Sequence, residues 1–159
     1  MRKEKGFSLI ELLIVVAIIL IIAAIAIPNL LRARIAANES SAVSSVRTVN
    51  TAQISYNSAY STVGFSTDLN SLGGTSCAPP TSSGACLIDT QLASGTKSGY
   101  SFVLGNGGGT STPLGSYQIN ATPKTQNQTG VRYFCSQADA VVRVPSSNTS
   151  CALSDPPLQ

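Results

Sequence analysis

The chain contains no histidine and no tryptophan. Without histidine there is no Ser-His or Cys-His pair to activate a nucleophile. Charged residues make up only 11% of the sequence. The acids Asp68, Asp89, Asp139 and Asp155 stand apart along the chain, so no carboxylate pair suggests acid–base work. The run Gly105-Asn-Gly-Gly-Gly-Thr110 has Thr where a dinucleotide fingerprint needs its last Gly, and no helical pattern follows, so it reads as a turn. No Cys-x-x-Cys knuckle is present, which argues against a Cys-ligated zinc site. These absences point away from an enzyme and give no reason to expect a cofactor or a metal. The net charge of +3 is small and calls for no polyanionic partner. Lys97, Lys124, Arg132 and Arg143 are scattered, and a DNA-binding patch has no support beyond them.

What is present is concentrated at the start. From Phe7 to Ile27 the only polar residues are Ser8 and Glu11. As an α-helix this run spans roughly 30 Å, the hydrocarbon thickness of a bilayer. It is apolar on every side, as a lipid-facing helix is and an ordinary surface helix is not. Arg2, Lys3 and Lys5 precede it and favour a cytoplasmic N-terminus, although Arg32 and Arg34 beyond the far end reduce the bias. A carboxylate inside such a helix costs a few kcal/mol, which makes Glu11 a functional candidate on position alone. The competing reading is a cleaved signal peptide, with Ala24-Ile25-Ala26 as a small-x-small site and a mature chain starting at Ile27. The rest would then be a secreted or signal-anchored binding domain.

Pro28 is expected to kink a continuing helix. Beyond it, Leu30, Leu31 and Ile35 extend the apolar surface. Ala42, Val46, Val49, Gln53, Tyr56 and Tyr60 then recur at helical spacing, with Asn38, Glu39, Ser45 and Arg47 expected off that stripe. No Gly or Pro falls between Asn29 and Tyr60. One helix from about Ser8 to about Tyr60 is therefore expected, apolar in its first half and amphipathic in its second. Its aromatics are confined to Phe7, Tyr56 and Tyr60, which gives no stacked path for electron conduction. Residues 61–99 are broken by Gly and Pro and read as a loop. Strand signals follow at Tyr100–Leu104, Ser116–Ala121, Val131–Cys135 and Ala140–Val144. Short turns between them favour an antiparallel meander, whose apolar face needs the helix stripe as its partner.

Lys5-Gly6-Phe7-Ser8-Leu9-Ile10-Glu11-Leu12, followed by the apolar run and Ile27-Pro28-Asn29, resembles the prepilin signature of type IV pilins, in its type IVa-like form. The resemblance covers about the first 30 residues. Ser-Gly-Tyr-Ser-Phe-Val-Leu and Thr-Gly-Val-Arg-Tyr-Phe-Cys resemble pilin head domains more weakly. It implies an α+β pilin fold, a long N-terminal helix packed on an antiparallel sheet of about four strands. It implies a leader at 1–6, an assembly helix at 7–28, its amphipathic continuation at 29–60 and a head at 61–159. Within the head, 61–99 is the connecting loop, 100–144 the sheet and 135–151 a C-terminal loop. Cleavage between Gly6 and Phe7 by a prepilin peptidase follows, with N-methylation of Phe7. Glu11 is then expected to meet the Phe7 ammonium of a neighbouring subunit.

The implied partners are other copies of the chain, the peptidase/N-methyltransferase, and inner-membrane assembly machinery with an external ATPase motor. The implied location is the inner membrane before assembly, single-pass with a cytoplasmic N-terminus, and an extracellular filament afterwards, serving adhesion, motility or DNA uptake. A pseudopilin of type II secretion is the neighbouring alternative, and with it a calcium site at Asp139. Asn120, Asn127 and Asn148 begin glycosylation sequons of the kind frequent by chance in such a chain. Four cysteines, Cys77, Cys86, Cys135 and Cys151, fall on the exported side, where disulfides persist. Three pairings are possible. Nearest-neighbour pairing closes two local loops, and a Cys135–Cys151 bridge would pin the C-terminal loop to the sheet, as in pilins.

Overall fold

The computed structural model describes residues 6–74, 77–147 and 151–158. The leader residues 1–5 and the sequon at Asn148 lie outside them. Two compact units are present, 1–34 and 35–159. The helix α1 (Leu9–Ala59) contributes to both, and Pro28 lies inside it without ending it.

Among the described residues of the first unit every large apolar side chain is exposed. Phe7, Leu9, Ile10, Leu12, Ile14, Ile18, Ile22 and Ile27 are all exposed. The most apolar 18-residue window has a mean hydropathy of 3.3 and none of it is buried.

In the second unit the pattern inverts. The helix buries Glu39, Ala42, Ser45, Val46, Val49, Asn50, Ala52, Gln53 and Tyr56, a stripe at steps of three and four. Opposite it lies an antiparallel sheet in the order β1 (Thr96–Lys97), β2 (Tyr100–Gly105), β3 (Gln118–Pro123), β4 (Phe134–Gln137). Alternate residues point inward: Tyr100, Phe102 and Leu104 from β2, Ile119 and Ala121 from β3, Phe134 from β4. Each large side chain removed from water in this way contributes about 1.5–3 kcal/mol. The expected α+β architecture of a long helix on a four-stranded antiparallel sheet is the one observed.

Several details differ from the sequence reading. Residues 61–99 hold two one-turn helices, α2 (Leu69–Leu72) and α3 (Thr90–Ala93), as well as β1. The β1–β2 hairpin turns through Ser98 and Gly99, both at positive φ, as a two-residue loop that matches strand twist requires. The third strand starts at Phe134 rather than Val131. The amides of Val131 and Arg132 instead donate to Glu39 Oε1, at 2.9 and 3.1 Å, and are lost to the ladder. The expected strand Ala140–Val144 does not form as an element. Ala140 is at positive φ, and only Arg143 pairs, in isolated bridges to Cys135 and Pro157.

The second strand begins two residues late, at Gln118, where the glycine-rich turn closes against Tyr117. A Cβ on Gly107 would lie 2.9 Å from the Tyr117 carbonyl, and Gly107 is at positive φ. Asn38, Glu39 and Ser45, expected off the helix stripe, belong to its inner side: Glu39 and Ser45 are buried and Asn38 half-buried. These polar residues flank the apolar stripe in sequence, and Asn38 and Glu39 turn inward because each meets a hydrogen-bond partner, Asn38 at Thr129 and Glu39 at Val131 and Arg132.

Candidate assembly site

The apolar segment begins with a short non-helical stretch, Gly6 to Ser8, before α1. Gly6 is exposed, and a Cβ there would meet nothing within 4 Å. The fold therefore does not require glycine at this position, and a demand for a small residue would come from a partner that grips the segment. Phe7 is 84% exposed.

Ser8 is the N-cap of α1. Its carbonyl accepts from the amides of Glu11 and Leu12 at 3.1 and 3.3 Å. Its own amide donates to Glu11 Oε2 at 2.9 Å. That is one half of a capping box, in which the third helical residue reaches back to the N-cap amide. The Glu11 carboxylate thus sits beside the positive end of the helix dipole, and within the single chain it is already hydrogen-bonded. In sequence Glu11 stands out as a costly charge, and the Ser8-x-x-Glu11 spacing is the local signal that marks a cap. Pro28 interrupts no element boundary. Arg32 and Arg34 lie beyond it and are exposed.

In the second unit the polar residues of the helix stripe fasten loops. Glu39 takes the two amides already named and also the Arg132 Nε at 2.8 Å. Asn38 Nδ2 donates to Thr129 O at 2.8 Å. Asn50 Nδ2 donates to Ser136 Oγ and Ala140 O, and Asn50 Oδ1 accepts from the Tyr117 hydroxyl. Gln53 and Ser66 exchange two bonds, Gln53 Nε2 to Ser66 O and Ser66 N to Gln53 Oε1. Among the described residues no buried side-chain nitrogen or oxygen lacks a partner. Burial raises the Glu39 pKa, but the bonds from Val131 and Arg132 outweigh it and hold the carboxyl below its ordinary value. Burial likewise pushes the Tyr117 hydroxyl up to about 12.

The acids that look isolated in sequence each have a structural task. Asp68 caps α2 through the Ser71 amide, and Asp89 caps α3 through the Leu92 amide. Asp89 also pairs with Lys97 at 2.9 Å, which lowers its pKa. Asp139 receives two guanidinium bonds from Arg143, at 3.0 and 2.6 Å, so the carboxylate considered for calcium is engaged by an arginine. Three of the four scattered cations, Lys97, Arg132 and Arg143, are thus spoken for by acids of this chain, which leaves no basic patch among them. Asn120 lies inside β3, paired with Val103 and Cys135, and Asn127 lies in an exposed turn at positive φ.

Cys77 is bonded to Cys86 and Cys135 to Cys151. Asp155 lies close to the second pair, but sulfurs joined to each other are not free thiolate ligands. A groove of about 600 Å³ is lined by Tyr56, Phe65, Asp68, Ser82 and Thr110 among others. It presents hydroxyls and the Asp68 carboxylate, which caps α2 and accepts from the Ser71 hydroxyl at 2.8 Å.

Residues 1–27 match the family described as the prokaryotic N-terminal methylation motif. The chain is 69% identical over 39 residues to the type IV wide pilus major component PilA4 of Thermus thermophilus, a match covering 24% of this chain and 30% of that one. It is 48% identical over 54 residues to the type IV major pilin protein PilA of Myxococcus xanthus, covering 34% and 24% respectively. The matched part thus spans less than a third of each of these relatives. No solved structure matches significantly. The family match lies in the segment that carries Gly6, Phe7 and Glu11, and together with the two pilin relatives and the long helix with its antiparallel sheet it supports a type IV pilin.

Proposed function

We propose that this chain is a pilin precursor that polymerises through the segment Phe7–Pro28 into a type IV pilus filament. One observation carries the reading: the Leu, Ile and Val side chains of residues 9–34 are all exposed, and the single carboxylate among those residues, Glu11, lies four residues after Phe7. A surface of that size is not stable in water and must be covered. Lipid covers it in the membrane-anchored precursor, and the same surface of other copies covers it in the filament. Cleavage after Gly6 would free the Phe7 amine, which methylation leaves cationic. Glu11 is the acceptor for that cation on a neighbouring copy.

A prepilin peptidase/N-methyltransferase and an inner-membrane machine with its own ATPase motor are the partners this reading requires. The head, fastened by its own ion pairs and two disulfides, would ride on the outside. Before assembly the chain is placed as a single pass in the inner membrane with its N-terminus in the cytoplasm. Intact-mass analysis of material sheared from cells is the test. The reading expects a chain that begins at a methylated Phe7. A mass that begins at Ile27 would establish a cleaved signal peptide instead, and a mass that retains the leader would refute processing.

A further inference from the structure

The Ser8–Glu11 contact deepens the reading above and rests on it for the role of Glu11. The Ser8 amide, not its hydroxyl, is the group bonded to Glu11 Oε2. The hydroxyl has no such bond to the Glu11 amide, which goes to the Ser8 carbonyl instead. A carboxylate has two oxygens and about four acceptor directions. With Oε2 held from within the chain, Oε1 remains open on an exposed helical start. We propose that the Ser8 backbone amide is a positioning group for the assembly contact: it fixes the rotamer of Glu11 in the unassembled subunit, so that Oε1 is presented to a cation of a second copy of this chain.

Two consequences follow. The contact is preorganised, so a partner copy need not immobilise a free glutamate side chain on binding. And residue 8 is constrained through its backbone rather than its side chain: any residue with an amide hydrogen serves there, and proline does not. The choice of proline as a probe is compatible with the local backbone, because a residue in the N-cap position is non-helical and needs no intrahelical bond from its own amide.

The experiment compares full-length Ser8→Pro, Ser8→Ala and Leu9→Pro by filament yield per processed monomer. Leu9→Pro places proline at the first helical position, where it is tolerated, and keeps the Ser8 amide. Ser8→Ala and Leu9→Pro are expected to assemble as the parent does. Ser8→Pro is expected to lose about tenfold or more in yield, the scale of one hydrogen bond to a charged group. A second measurement is independent of processing: hydrogen exchange of the Ser8 amide in detergent-solubilised full chain. Glu11→Gln retains a side-chain acceptor and is expected to keep the amide protected, while Glu11→Leu is expected to expose it.

Ser8→Pro assembling like the parent, Ser8→Ala failing as badly as Ser8→Pro, or equal Ser8 exchange in Glu11→Gln and Glu11→Leu would each overturn the inference. None of those outcomes touches the filament reading, which fails separately if Glu11→Leu itself assembles normally.

Discussion

The two units of this chain use the same residue types for opposite ends. Residues 9–34 put Leu, Ile and Val outward, and their one carboxylate is answered by an amide three residues away. Residues 35–59 continue the same helix but turn Val46, Val49 and Tyr56 inward, and Glu39 is answered by groups more than ninety residues away in sequence. A carboxylate in the first half is satisfied locally and left available; one in the second half is consumed by the fold. The first half therefore leaves its apolar surface exposed, and the second turns its own inward onto the sheet.

If that contrast is right, damage to the head should be confined to the head. The largest effect is expected from Cys135→Ser with Cys151→Ser. The bridge spans 16 residues in sequence, and its removal should cost about 2–5 kcal/mol. Denaturant melting of the detergent-solubilised chain, followed by tyrosine signals, would read this. The far-UV signal of the membrane helix should persist through the head transition. A single transition that takes both signals together would break the contrast.

Next comes Glu39→Ala. It leaves the amides of Val131 and Arg132 without their acceptor; both residues are exposed, so water replaces part of the loss, and roughly 1–2 kcal/mol of head stability should go. Retention of full stability would mean that the stripe is held by apolar packing alone.

The parent protein offers a milder version through pH. The Glu39 carboxyl is held below the ordinary glutamate value of 4.5 by the bonds from Val131 and Arg132, which outweigh its burial, so the unfolded chain takes up its proton first. The stabilisation is complete above about pH 4.5 and declines as pH falls through the lower folded value. Asp89 and Asp139 are depressed in the same direction by Lys97 and Arg143. Melting midpoints should therefore fall between about pH 5 and pH 3, and Glu39→Gln should flatten part of that slope. An unchanged slope in Glu39→Gln would remove Glu39 from the account.

The smallest effect is a gain. Ser98 holds positive φ in the β1–β2 turn ahead of Gly99, a position that suits Asn better than Ser. Ser98→Asn should raise head stability by a few tenths of a kcal/mol, set against the lost bond from Ser41 Oγ to Ser98 Oγ. A drop of more than about 1 kcal/mol would show that this bond outweighs the turn preference.

The first unit was legible because its signal is local. Length, apolarity, the basic flank and the Phe7-to-Glu11 spacing can all be read along the chain, and the Ser8-x-x-Glu11 spacing was there for the cap as well. The sheet was legible where strand patterns met nothing else: the pattern at Tyr100–Leu104 corresponds to β2 almost residue for residue. It was illegible where a distant side chain takes the backbone bonds. Val131 and Arg132 are strand-like by composition, and nothing near them in sequence announces Glu39. Ala140–Val144 shows the same limit, since its alternation is real, but a turn at Ala140 leaves a single residue to pair. Gln53 is legible as a stripe member because its spacing places it there, whereas Glu39 and Asn50, also buried, are missed by any rule that equates burial with hydrophobicity. Polar residues recurring at stripe positions were the available signal for them. Nearest-neighbour pairing of the cysteines coincides with the bonds present because each pair closes a short loop.

The central claim is that the apolar stretch of residues 7–28 is an assembly surface whose one carboxylate, Glu11, meets a cation of another copy. Glu11→Leu tests it most directly. The substitution removes a charge that costs up to about 2.5–3.5 kcal/mol in a bilayer, so insertion should be unharmed, and the head, fastened by its own bonds, should fold as before. In a filament, however, each added copy would bury a Phe7 ammonium without its acceptor, at about 3–5 kcal/mol per subunit. The measurement is sheared filament against processed monomer in the membrane fraction, parent beside variant. The account predicts processed monomer with almost no filament, and a normal yield of filament from Glu11→Leu would contradict it.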